Sequence, residues 1–234
     1  MMNCDPIAGL YRWIEYAAFG PVLQRTRLRW LEEMRGARRV LLLGDGDGRF
    51  LSHFVSTYPE AELHYIDSSA RMLDLARKRI RGAKLVNPDR VKFIEGNALT
   101  TTLPSGTYDL VVSHFFLDCF GAHALSKLAQ RVGSHLAHDA RWVVSDFSEL
   151  RDGLMARASR FYLRLMFLFF RFTTGLETNR LADYSAVLEG LGLVRTTRET
   201  KLGGFVFSEV WCSPESKAGR LCDAADEPGG QHNN

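Results

Sequence analysis

Apolar residues along this chain fall into short unbroken runs that alternate with stretches at helical spacing. Val40, Leu41, Leu42 and Leu43 follow one another without a polar break, which marks a strand buried on both faces. Further strands are predicted over residues 63–66, 91–94, 108–112 and 141–145. Between them, Phe50, Leu51, Phe54, Val55 and Tyr58 share one helical face before Pro59 stops the run. Met72, Leu73, Leu75, Ala76 and Ile80 do the same over residues 69–81, with Gly82 as the stop. A third set is Leu125, Leu128, Ala129, Val132 and Leu136. Alternating strands and helices predict a doubly wound, mostly parallel α/β sheet. After a helix over residues 181–188, the segments 193–202 and 205–212 flank Gly203-Gly204 and predict an antiparallel hairpin, for seven strands in all.

The flanks read differently. Residues 7–34 predict two helices broken at Gly20-Pro21, with Ile7, Leu10, Tyr11 and Ile14 on one face. Residues 1–36 are therefore a helical cover or lid of the same domain, which occupies residues 37–213, and the polar residues 214–234 are expected to be a disordered tail. Residues 154–172 are rich in phenylalanine, Phe161 among them, but Arg160, Arg164 and Arg171 interrupt the run, which is too short to span a bilayer. A buried helix, a wall of an apolar substrate pocket and an interfacial helix all fit. Pocket wall plus core is favoured, with peripheral membrane contact as the secondary option.

The chemistry concentrates after the first strand, at Gly44-Asp45-Gly46-Asp47-Gly48. Three glycines let the backbone turn sharply into a helix starting near Asp47, whose unpaired amides would face the turn and suit a carboxylate or phosphate. A dinucleotide fingerprint needs its third glycine where Arg49 stands. Asp67 ends the second strand 19 positions beyond Gly48 (67 − 48), the place where an acidic residue binds ribose hydroxyls in doubly wound folds. It also suits a helix cap, since Ser68 and Ser69 open the next helix. Asn97 offers a donor and an acceptor to an adenine edge, and equally fits a turn.

Glycines at every second position, followed by this acid, resemble the class I S-adenosylmethionine-dependent methyltransferases. Asp5-Pro6-Ile7-Ala8-x-x-Tyr11 with Phe19-Gly20, and Asp67-Ser68-Ser69-x-x-Met72-Leu73, are similar to ubiquinone and menaquinone C-methyltransferases within that class. The resemblance implies a Rossmann-like fold and S-adenosylmethionine as cofactor. It implies a donor site of Tyr11, Gly44, Asp45, Gly46, Gly48, Asp67, Ser68, Met72, Asn97, Ala98 and Ser113. These enzymes have an acidic residue two positions before the first glycine, where Leu42 stands here, so Asp45, with Asp47 as a second candidate, is expected to hold the methionine ammonium instead. Beyond the fourth strand, His114, Phe115 and Phe116 would wall the acceptor together with Asp146 and Phe161, and His114 and Asp118 are the available proton acceptors.

Composition narrows the partners. In 234 residues, 30 basic and 27 acidic side chains leave a net charge of +3, too balanced to argue for nucleic acid. Four scattered cysteines, without paired spacing, suggest a reducing cytoplasm and no structural metal. The expected partner is a small-molecule acceptor, with the oligomeric state open. A non-catalytic S-adenosylmethionine-binding module and a nicotinamide-dependent oxidoreductase remain alternatives.

Overall fold

The computed structural model describes residues 16, 19–82, 88–150, 157, 163 and 181–214. Seven strands form one sheet in the order β3-β2-β1-β4-β5-β7-β6. They are β1 (Arg39–Leu43), β2 (Glu62–Asp67), β3 (Val91–Glu95), β4 (Tyr108–His114), β5 (Leu136–Phe147), β6 (Val194–Lys201) and β7 (Val206–Cys212). The first five pair in parallel, and β7 runs antiparallel to both β5 and β6. Helices α1 (Val22–Arg27), α2 (Arg49–Thr57), α3 (Ala70–Gly82), α4 (Ala122–Gly133) and α5 (Tyr184–Glu189) complete the described elements of regular helix. No described helix is long and apolar enough to cross a membrane.

The unbroken apolar run of β1 has a direct cause. Val40 and Leu42 point into one layer with Phe50, Phe54, Leu63, Leu73 and Ile80, while Leu41 and Leu43 point into the other with Val111, Leu125, Leu128, Trp142 and Trp211. All four β1 side chains are fully buried, so neither face tolerates a polar residue. A third cluster gathers at the carboxyl rim of the sheet, where Leu23 of α1 meets Phe147, Leu163, Phe205 and Val206. Leu163 is the member of this cluster that comes from the phenylalanine-rich stretch. Tyr11 and Phe161 lie outside the described residues, as do residues 215–234 of the expected tail.

Two strands run further than their apolar pattern suggests. His114 is the last residue of β4, paired with Ser145, and Asp146 and Phe147 continue β5 opposite Phe207 and Val206 of β7. The antiparallel neighbour keeps these residues in the ladder. The hairpin link is a 3-10 turn over Leu202–Gly204 in place of a two-glycine primed turn, with Leu202, Gly203 and Gly204 all at positive φ.

Gly48 caps α2 in the left-handed region at φ 77°. A β-carbon there would stand 2.6 Å from the Ala76 side chain, so this glycine lets α2 and α3 approach. Gly48→Ala should therefore destabilise the fold by about 2–4 kcal/mol, combining overpacking with left-handed strain. Chemical denaturation would register this as a lower midpoint.

Candidate active site

The strand order reverses between β1 and β4, and the crevice at such a reversal is where open α/β sheets bind ligands. The glycine turn lies there. Gly44 and Gly46 take φ of 62° and 63°, and α2 begins at Arg49, two residues later than the sequence suggests. The ring of Phe116 packs directly on Gly44, leaving 2.2 Å to the place a β-carbon would take. Gly46 is the open position: its nearest neighbour on that side is the Met72 sulfur, 4.0 Å away.

Asp45 and Asp47, alike in sequence, have different environments. Asp47 is clamped by Arg49 Nε at 3.0 Å and Arg79 Nη2 at 2.6 Å, while Arg79 Nε donates to its backbone carbonyl at 2.8 Å. Its charge is spent within the protein, which removes it as an ammonium partner. Asp45 is 7% exposed; its Oδ2 accepts the Leu51 amide at 2.9 Å, and its Oδ1 is buried with no hydrogen-bond partner. Burial pushes its pKa up to about 7, against the opposing pull of the Leu51 amide and of Arg27.

At the end of β2, Asp67 is tied into the turn that leads to α3. Its Oδ1 accepts the Ser69 amide at 2.9 Å, just ahead of α3, whose Met72 amide is capped by the Ser69 hydroxyl at 3.1 Å, and its Oδ2 lies 2.9 Å from the Tyr65 hydroxyl. Ser68 is half-buried beside it, and Met72 is buried against the turn. Asn97 uses its Oδ1 for the Leu99 amide at 2.9 Å, as a turn residue does, and the Ala98 carbonyl accepts from Arg131 at 3.4 Å. Ser113 departs from expectation. Its hydroxyl accepts the Trp142 indole N–H at 2.9 Å inside the core, so it does not face the turn.

His114 is 2% exposed, and neither ring nitrogen has a hydrogen-bond partner. The ring stands edge-on to Phe50 at 4.7 Å. Burial and the positive charge of Arg27 hold its pKa well below the usual imidazole range, so it is neutral at pH 7. Arg27, on α1 and 4% exposed, places its guanidinium 4.8 Å from the centre of the Phe115 ring. One buried cation thus acts on both Asp45 and His114.

Comparison with known proteins finds likenesses over the same region. Residues 40–150 match the family described as a methyltransferase domain. Over 127 residues the chain is 31% identical to demethylmenaquinone methyltransferase of Deinococcus radiodurans, a match covering 54% of this chain and 50% of the relative. The fold superposes on an O-methyltransferase family protein from Burkholderia thailandensis with a TM-score of 0.68 at 18% identity, covering 90% of this chain and 60% of that one. The N-methyltransferase NodS of Bradyrhizobium japonicum, solved with S-adenosyl-L-homocysteine, superposes with a TM-score of 0.53 at 15% identity, covering 83% and 85%. Over residues 40–150 this chain is thus similar to a methyltransferase domain, the same stretch that holds the glycine turn and Asp67. The chain spans about half the length of the curated relative, and the structural likenesses speak for the fold alone.

The candidate residues divide into two groups. Asp45, His114, Phe115 and Phe116 gather around Arg27 and the glycine turn. Asp118 and Asp146 line a cavity of about 320 Å³ with Phe147, Tyr184, Arg198 and Phe207. Asp146 Oδ2 accepts the Asp118 amide at 3.1 Å and its Oδ1 the Phe147 amide at 2.9 Å. Burial raises both carboxyls, Asp118 to about 6, and the neighbouring Asp118 charge raises Asp146 further. Arg27 and Tyr65 are the residues that sequence reasoning missed. Each acts across elements, and neither lies in a motif.

The elevated Asp45 pKa has a stability consequence. From about pH 4 to 7 the unfolded chain loses this proton while the native chain keeps it, so the contribution falls as pH rises. Asp45→Asn should stabilise the domain at pH 8 by up to about 4 kcal/mol, and by nothing near pH 4. Thermal unfolding at the two pH values measures the difference. Equal effects at both would contradict the buried-carboxyl account.

Proposed function

We propose that this domain transfers the methyl group of S-adenosylmethionine to a small hydrophobic acceptor. The single observation that carries the reading is the buried, partnerless Oδ1 of Asp45 beside the open face of the glycine turn. A buried carboxylate oxygen without a donor is costly, and a ligand ammonium is the group that satisfies it. Arg27 supplies the complementary charge for the donor's carboxylate. Asp67 accepts the ribose hydroxyls, with Ser68 and Met72 along the adenosine. The sulfonium makes the methyl carbon electrophilic when the donor is bound.

The protein's own work is alignment and exclusion of water, and alignment alone supplies roughly 7–11 kcal/mol of such a barrier. Phe115 and Phe147 stand 5.1 Å apart, and Phe147 continues to Phe19 at 5.4 Å and Phe205 at 5.3 Å. This aromatic wall suits an apolar acceptor. Phe116, half-buried and edge-on to Phe120 at 5.0 Å, covers Gly44 and swings aside as the methionine end enters. Neutral His114, with neither ring nitrogen partnered, orients the acceptor hydroxyl by a hydrogen bond, its low proton affinity making it a weak general base. The reaction forms a bond from the acceptor to the methyl carbon, breaks the carbon–sulfur bond and releases S-adenosylhomocysteine, between small molecules in the cytoplasm and without a nucleic-acid partner.

Asp45 gives this reading a pH signature. Donor binding needs the carboxylate, so affinity for S-adenosylhomocysteine should weaken about tenfold per pH unit below 7 and level off above it. Calorimetry between pH 5.5 and 7.5 checks the slope. Mass spectrometry of reactions with S-adenosylmethionine and a panel of apolar phenols and quinols checks turnover. Absence of binding at pH 7.5 would overturn the reading.

A further inference from the structure

Tyr65 occupies the middle of the donor site without touching its open surface. It is fully buried on β2, edge-on to Phe93 at 5.8 Å. Its hydroxyl oxygen lies 2.6 Å from the Gly46 carbonyl and 2.9 Å from Asp67 Oδ2. Both neighbours are acceptors, and a phenol has one hydrogen to give. Burial and the charges of Asp67, Asp45 and Asp47 hold its pKa well above the ordinary phenol value, so the proton stays on the ring oxygen. The hydrogen is therefore shared between the turn and the carboxylate.

We propose that Tyr65 is a positioning residue that couples ribose binding at Asp67 to the order of the glycine turn. The inference rests on the reading of Asp67 as the ribose acceptor. When a ribose hydroxyl donates to Asp67 Oδ2, that oxygen no longer needs the phenol hydrogen, which then goes wholly to the Gly46 carbonyl. Gly46 adjoins Asp45 and carries the left-handed φ that opens the turn. Fixing its carbonyl fixes the backbone from which Asp45 reaches the ammonium. The adenosine end of the donor thus prepares the site for the methionine end, 19 positions apart in sequence (65 − 46) but joined through one hydroxyl.

A double-mutant cycle on S-adenosylhomocysteine affinity tests this. Asp67→Asn alone should weaken binding about tenfold or more, and Tyr65→Phe alone about fivefold, the range of one hydrogen bond. In the Asp67→Asn background, Tyr65→Phe should cost less than about twofold further, because its partner in the coupling is gone. Full additivity, or unchanged affinity in Tyr65→Phe with Asp67→Asn impaired, overturns the coupling while leaving the ribose reading intact. Unchanged affinity in Asp67→Asn overturns the ribose reading and the coupling with it. A second measurement needs no variant. Adenosine, which presents the ribose without the methionine, should slow amide exchange at residues 46–48 of the native chain, and 2′,3′-dideoxyadenosine should not. Equal protection by both nucleosides, or protection by neither, overturns the proposal.

Discussion

A single half-satisfied carboxylate organises this domain. Asp45 is drawn into the protein by the first turn of α2, whose Leu51 amide it caps, and this leaves its second oxygen in a buried position with nothing to accept from. Water would satisfy that oxygen at a surface, but burial withholds it and raises the proton affinity of the group instead. The native chain thus stores destabilisation at a site that, in the proposed function, a ligand ammonium relieves. Binding energy and folding energy meet at one atom, as they do at many functional sites.

The surrounding fold holds that atom in place and leaves one side of it open. The three glycines divide the labour: Gly44 yields its face to Phe116, Gly46 stays open, and Gly48 lets α2 and α3 touch. Asp47, two residues after Asp45, ties the turn to α3 through Arg79, so the turn is held against that helix. Arg27 approaches from α1 over the Phe115 ring and lowers the proton affinity of both Asp45 and His114. These contacts join α1, α2, α3 and the ends of β1, β2 and β4 at one rim. The Asp118 and Asp146 pair lines a cavity that shares Phe147 with the aromatic wall.

Much of this frame is legible in the residues alone, for reasons the structure makes plain. An unbroken apolar run such as 40–43 means burial on both faces, and the topology that follows leaves little choice of where the crevice lies. Asp67 is legible because its spacing from the glycines reflects the length of one helix and one strand. What sequence cannot separate is decided by contacts across the fold. Asp47 differs from Asp45 because Arg49 and, 32 positions later, Arg79 reach it. Ser113 faces inward because Trp142 lies across from it. Arg27 sits in a short basic stretch with no periodic signal, and Tyr65 reads as an ordinary strand aromatic until its hydroxyl is placed. Strand ends were underestimated where polar residues such as His114 and Asp146 remain paired to a neighbour.

The most direct measurement is a crystal structure of the chain with S-adenosylhomocysteine. The account predicts its ammonium within hydrogen-bond distance of Asp45 Oδ1, its ribose hydroxyls on Asp67, and the Phe116 ring moved off Gly44. A ligand bound elsewhere, or one that leaves Asp45 Oδ1 still without a partner, would contradict it.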